Sequence, residues 1–254
     1  MLLYHGVMEA PRGCDDIERD LFVSPDVFAS QMADLARRGF RSIRLEQFLE
    51  APERSVLITF DDAYAHVVPV VTPVLARYGF TAVMFAPSAY LGGHNEWDVD
   101  KHPRLAALDI ATAGQLREMA EGPWEIASHG WRHVDLRLLQ FEERRLELER
   151  ARERISETTG KPVRALAYPF GLSDEGVRAD AQKAGYSLAF SAGPGSFRDR
   201  YQLPRHQISG SDNLRMFRLK TSGWFDRLHR VQRLTPGWAR ASARAVVGRA
   251  AAAP

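Results

Sequence analysis

The sequence predicts an α/β fold, a distorted (β/α) barrel with about seven parallel strands, and three observations carry that expectation. Short β-branched or apolar runs alternate with longer helical patterns along the first 190 residues. The run Ser55-Val56-Leu57-Ile58-Thr59-Phe60 is almost wholly apolar, as a strand covered on both faces must be. At 254 residues, 45% hydrophobic and 26% charged, the chain is long enough to enclose one full-size core. An open doubly wound sheet is the alternative arrangement of the same elements.

The elements follow in order. Leu2-Leu3-Tyr4 reads as a first strand. Ser24-Pro25 supplies an N-cap and an N1 proline to a helix that buries Phe28, Met32 and Leu35 and stops at Gly39. Ser42-Ile43-Arg44-Leu45 and then 55–60 read as strands, followed by a helix over roughly 66–78. Thr81–Phe85 is the next strand, directly after Gly79 as a helix stop. The stretch 87–111 is long and irregular, with Gly92, Gly93 and Pro103, and a loop of that length in a compact domain is usually functional. A helix, a strand at 124–127, a long charged helix over about 138–159, a strand at 165–168, a helix over about 175–184 and a strand at 188–190 complete residues 1–212 as a catalytic domain.

Residues 213–254 are set apart by charge. They carry nine basic residues against Asp226 alone, a net +8, which leaves −6 on the first 212. Within them Trp224, Phe225, Leu228, Val231 and Leu234 recur at helical spacing with Arg227, Arg230 and Arg233 between, a pattern that suits either terminal packing or peripheral contact with an anionic membrane. An acidic body with a basic extension argues against a nucleic-acid partner. No run of about 18 apolar residues is present. The start, Met1-Leu2-Leu3-Tyr4-His5-Gly6, lacks the pattern of a secretory leader, so the expected location is cytoplasmic, possible contact with the inner membrane face included. A single cysteine, Cys14, rules out an internal disulfide and a cysteine-rich metal knuckle, so any metal must be held by histidine and carboxylate.

Three clusters sit where strands end, which is where such folds build their sites. Thr59-Phe60-Asp61-Asp62 places two adjacent carboxylates at the end of an apolar strand. Alone they are an ordinary turn or cap, and both stay ionised only beside a positive partner. Ser128-His129-Gly130-Trp131-Arg132-His133 places two histidines four apart, on one helix face or on a tight turn. With a carboxylate from another strand end they make a three-ligand site with positions left open for water and substrate. Tyr168-Pro169-Phe170-Gly171 reads as a turn whose backbone N–H groups point into a site, or as a plain strand-to-helix turn.

In this order the clusters resemble the polysaccharide deacetylases of carbohydrate esterase family four, the chitooligosaccharide deacetylase homology domain, over about residues 1–210. The resemblance implies Asp61 as catalytic base, and Asp62, His129 and His133 as ligands of one divalent metal, zinc first and cobalt, nickel or iron as alternatives. Most members carry Ser or Thr after the first histidine, and Gly130 in that place implies the loss of a hydrogen bond that stiffens the loop. The third motif usually has an arginine two or three residues before its proline-aromatic pair, and this chain offers Ala167 and Tyr168 instead. That form is similar to the branch of the poly-N-acetylglucosamine deacetylases, whose motif order is permuted and whose acid histidine lies near the start. Tyr4-His5-Gly6-Val7 matches it, implying His5 as general acid, with His206 of Leu203-Pro204-Arg205-His206 as the competing residue and Arg205 as the charge that holds Asp61 ionised. The implied partner is an N-acetylated sugar substrate. Tyr168, Pro169, Phe170, Trp131 and Trp97 are the residues expected to bind it, and Tyr90 is a further loop aromatic. A metal-dependent amidohydrolase acting on a non-sugar amide, and a catalytically dead carbohydrate-binding relative, are the rival readings.

Overall fold

In a computed structural model that describes residues 1–193 and 197–222, residues 1–210 form one compact unit, and the chain from Ser211 onwards forms a second. In the first unit, seven parallel strands make one sheet: β1 (Leu2–Tyr4), β2 (Ile58–Phe60), β3 (Ala82–Ala86), β4 (Trp124–Ser128), β5 (Ala165–Ala167), β6 (Leu188–Phe190) and β7 (His206–Gln207). Their order is β6-β5-β4-β3-β2-β1-β7, so the first strand of the chain lies inside the sheet. Leu2 pairs with Ile58 on one side and with His206 on the other. The stretch leading into β7 also bonds the far edge: Leu203 N–H donates to Ala189 O and Ser191 N–H to Leu203 O, both at 2.9 Å. One segment thus joins both edges of the curled sheet, and the architecture is that of a distorted barrel, as the sequence predicts.

Helices flank these strands in alternation: α1 (Pro25–Arg37), α2 (Val67–Tyr78), α3 (Ala113–Ala120), α4 (Phe141–Thr159) and α5 (Glu175–Lys183). Ser24 caps α1 by accepting from Val27 N–H, and Gly79 ends α2, as the sequence pattern requires. The two-residue periodicity of strands then sorts the side chains. Val83 and Phe85 of β3 join Ala127, Ala165, Ala167 and Phe190 in the barrel interior. Tyr4, Phe28, Phe60 and Trp124 form a separate aromatic layer, with ring centroids 5.2–5.9 Å apart between successive neighbours. The Tyr4 hydroxyl donates to Gln31 Oε1 at 2.8 Å, which ties β1 to α1.

Two of the expected strands differ. Ser42–Leu45 contributes only Arg41–Ser42, paired with Ser55–Val56 in a small separate ribbon, and Leu45–Glu50 is a 3-10 helix. Gln47 accepts from Arg44 N–H at 2.9 Å and Glu125 from Leu45 N–H at 2.9 Å, so side chains take the donors that a strand ladder would need. The run 55–60 is accordingly divided at Leu57. The seventh strand of the barrel is His206–Gln207, which has no apolar run to announce it. In the second unit, Asn213 caps a helix at Leu214–Lys220, and the amphipathic stretch from Trp224 to Leu234 lies outside the described residues. Among the described residues no helix is long and apolar enough to cross a membrane.

Gly171 lies in a tight turn at a strand end. Its φ is +68°, and a Cβ there would sit 2.3 Å from the Ala192 backbone nitrogen. Gly171→Ala should lower stability by about 2–4 kcal/mol, combining left-handed strain with overpacking against main chain. The shift in the urea midpoint at constant m measures it, and an unchanged midpoint would mean the turn relaxes without cost.

Candidate active site

The residues after β2, β4 and β5 converge on one cavity of about 280 Å³, lined in part by His5, Asp61, Asp62, His129, His133 and Phe170. Asp61 N–H donates to Tyr4 O at 2.9 Å and His129 N–H to Ala86 O at 3.0 Å, so each leaves its strand with the sheet's hydrogen bonding still intact. The positive-φ residues other than glycine concentrate here: Asp62 (69°), Ala63 (53°), His133 (53°) and Phe170 (59°). Strain of this kind persists where surrounding structure over-determines the backbone.

Arg205 is fully buried and its guanidinium meets Asp61 through two parallel bonds, Nη1 to Oδ1 and Nη2 to Oδ2, each 2.7 Å. Nη1 also donates to Thr59 Oγ1 at 3.1 Å and Nε to Ser191 O at 3.2 Å, while the guanidinium stands 5.1 Å over the Phe85 ring. The Thr59 hydroxyl in turn donates to Leu2 O at 2.8 Å. Thr59 and Asp61 face the barrel interior by strand alternation, and the segment into β7 brings Arg205 to them. Burial pushes the Asp61 carboxyl upward, but Arg205 and then His129 outweigh it and hold it below the usual aspartate value.

Asp62, His129 and His133 are all buried, and their donor atoms lie within 4.8 Å of one another. Asp62 Oδ1 is 3.5 Å from His129 Nε2 and 3.4 Å from His133 Nε2, and it has no hydrogen-bond partner. His129 Nδ1 lies 2.8 Å from Ala167 O, a contact that needs the proton on Nδ1 and turns the Nε2 lone pair toward Asp62. Burial works against a charge on His129, yet Asp61 and Asp62 raise its pKa above the ordinary value; on His133 burial prevails and lowers it. For Asp62, burial is outweighed by the two histidines and the pKa falls well below the usual range. An orphaned buried carboxylate oxygen facing two imidazole nitrogens is a donor set that fits a divalent cation.

His133 is held by aromatics. Trp97 stacks on it at 4.6 Å and 30°, and Phe170 meets it edge-on at 4.7 Å. Trp97 therefore spends one face on His133, with Tyr90 at 5.1 Å behind it, whereas Phe170 is 51% exposed at the cavity mouth. The two histidines meet on a tight turn, not a helix face. Gly130 there has φ +79°, and its N–H donates to Ser128 Oγ at 3.2 Å, so the loop has a stiffening hydrogen bond from the preceding side chain. A Cβ at position 130 would come within 3.3 Å of Pro169 Cγ, which suits glycine to the place.

Three of the expected substrate contacts are elsewhere. Tyr168 is fully buried, its hydroxyl donating to Tyr201 O at 2.8 Å, so it is core. Pro169 is buried against Gly130 and does not line the cavity. Trp131 is absent from the lining and contributes its carbonyl to Ala89 N–H at 3.0 Å. His5 lines the cavity with its Nδ1 unpartnered, while at the end of the sheet Gln207 is the lining residue and His206 is not. The sequence reading missed Asp98, His102 and Gln207 in the lining. It also missed Tyr64, which is buried beside Asp62 and pushed well above the usual tyrosine range by burial and the nearby Asp62 and Asp98 carboxylates. Only the position of Asp98 and His102 inside the long 87–111 loop could have suggested them.

With this geometry in hand, the relatives are informative. A protein of Bacillus subtilis strain 168, YxkH, named for the polysaccharide deacetylases, is 26% identical over 222 residues, 84% of this chain and 72% of its own. The poly-β-1,6-N-acetyl-D-glucosamine N-deacetylase of Staphylococcus aureus strain MRSA252 is 27% identical over 207 residues, 74% of this chain and 68% of its own. Among solved structures, BA0330 of Bacillus anthracis, named for the same family, superposes with a TM-score of 0.72 at 26% identity, over 87% of this chain and 67% of that one. The polysaccharide deacetylase family model matches residues 49–189, a span that holds Asp61, Asp62, His129 and His133, and the chain belongs to that family.

Proposed function

We propose that the protein hydrolyses the acetamide of an N-acetylated amino-sugar glycan, releasing acetate and leaving a free sugar amine, with a divalent cation, zinc foremost, held by Asp62, His129 and His133. The observation that carries this reading is the juxtaposition of a buried Asp-His-His donor set with a second carboxylate ion-paired to Arg205 in one cavity. The Staphylococcus aureus relative, by its name, acts on poly-β-1,6-N-acetyl-D-glucosamine, which supports an acetylated hexosamine as substrate.

When bound, the cation would supply Lewis acidity, lowering the pKa of a water towards about 7 and polarising the amide carbonyl. The chain's own residues do the rest. Asp61 receives the proton of the attacking water. Arg205 occupies one lone pair on each Asp61 oxygen and keeps the carboxylate ionised at neutral pH, and Oδ2, 3.7 Å from His129 Nε2, still has a lone pair on the cluster side. His5, at the cavity wall, protonates the departing amine. Phe170 offers the exposed ring against which a pyranose face can stack. Trp97 holds His133 in place instead. Acetate release from N-acetylated oligosaccharides, set beside simple amides and cyclic imides, tests the substrate class. Hydrolysis confined to the non-sugar amides would replace this reading with that of an amidohydrolase.

Asp62→Ala, His129→Ala and His133→Ala should each lose bound metal and activity together, read as metal per chain by elemental analysis beside acetate release. Full occupancy in any one of them would remove that residue from the ligand set. Asp61→Asn should keep the metal and lose turnover by about 10²–10⁴-fold. It should also lower Tm, because the amide leaves the buried Arg205 charge uncompensated. His5→Ala should keep the metal and change the alkaline limb of the pH–rate profile, while His206→Ala leaves that limb as it is. The reverse pattern would assign the proton donor to His206.

A further inference from the structure

The opposite end of the sheet from the active cavity holds a larger cavity, about 530 Å³, at the first residues of β4, β5 and β6. The 3-10 helix Leu45–Glu50 forms one wall, and Leu45, Leu49, Ile126 and Leu188 give it an apolar lining. Arg44, Lys161, Arg164 and Arg200 also line it, against Glu46 and Glu125. Glu125 already accepts from Leu45 N–H, and burial pushes its carboxyl above the usual range, which weakens it as a counter-charge.

The guanidinium groups of Arg44, Arg164 and Arg200 form no hydrogen bond or ion pair at pairing distance among the described residues, while elsewhere on the chain Arg132, Arg137, Arg144, Arg145 and Arg178 each pair with a carboxylate. Cations gathered around one concavity repel one another. The chemistry they match is a polyanionic head group, since planar guanidinium forks bind phosphate oxygens two at a time. The aliphatic lining suits a chain attached to that head. The volume falls in the range of small-molecule sites.

We propose that this cavity binds an organic phosphate bearing an apolar chain, with Arg44, Arg164 and Arg200 on the phosphate and Leu49 against the chain. The site is separate from the deacetylase cavity and does not rest on the reading of that cavity. Full-length, metal-loaded protein is titrated calorimetrically with dodecyl phosphate below its micelle concentration, with inorganic phosphate, and with dodecyl maltoside as the uncharged control. Dodecyl phosphate should bind saturably at one per chain and tenfold or more tighter than either of the others. Arg164→Ala combined with Arg200→Ala, both exposed side chains, should weaken it at least tenfold. Leu49→Asp, also exposed, should weaken dodecyl phosphate while leaving inorganic phosphate unchanged. Sedimentation with phosphatidic acid vesicles distinguishes the sources: pelleting that the double variant loses makes the ligand a membrane lipid, and no pelleting makes it a soluble organic phosphate. Equal binding of dodecyl phosphate by the double variant, or equal binding of dodecyl maltoside by the wild type, would overturn the proposal.

Discussion

The structure depends on burying one guanidinium. Arg205 has no exposed surface, and taking such a charge out of water costs several kcal/mol unless every donor finds a partner. Its partners come from three distant places: Asp61 and Thr59 at the end of β2, Ser191 after β6, and the Phe85 ring beneath. Those groups can meet only if the sheet curls until its far strands face one another. The ion pair is therefore satisfied only by the curled fold, and it also keeps Asp61 ionised beside a cluster that already holds Asp62. Without Arg205, two adjacent buried carboxylates would raise one another's pKa, and at least one would take up a proton.

Around that pair the site is assembled with little slack. His129 is oriented by the Ala167 carbonyl from the next strand, so the register of β4 against β5 decides where its Nε2 points. His133, in a left-handed backbone conformation, has no such carbonyl and is held by Trp97 and Phe170. One histidine is thus fixed by hydrogen bonding and the other by packing. The left-handed residues Asp62, His133 and Phe170 all lie where side chains must converge, and the barrel beneath them supplies the stability that such strain draws on.

Much of this was legible in the residues. Apolar runs, helix stops and the Ser24 cap gave six of the seven strands and the principal flanking helices, since burial on both faces leaves a continuous apolar signature. The motifs named Asp61, Asp62, His129, His133 and His5, all of which line one cavity. What stayed illegible was tertiary in origin. His206–Gln207 is a strand because β1 lies beside it, and Ser42–Leu45 is not one because Glu125 and Gln47 compete for its amides. Tyr168, Pro169 and Trp131 sit inside or next to recognisable motifs, but motif membership does not tell which way a side chain turns. Arg205 shows the converse: paired carboxylates need a cation, and the motif context, not charge alone, pointed to a residue far along the chain as the one that supplies it.

The placement of β1 and β7 also has a bearing on synthesis. Asp62, His129 and His133 have left the ribosome once residue 133 is out, yet β1 gains its second neighbour, and Asp61 its counter-charge, only when the segment through residue 207 emerges. Until then the nascent chain holds a partly open sheet edge and an Asp61 without its guanidinium, a state inclined to protonate Asp61 and to recruit other strands. Closure by this late segment completes the barrel and gives Asp61 its counter-charge in one event, so a chain cut short before it would lack both.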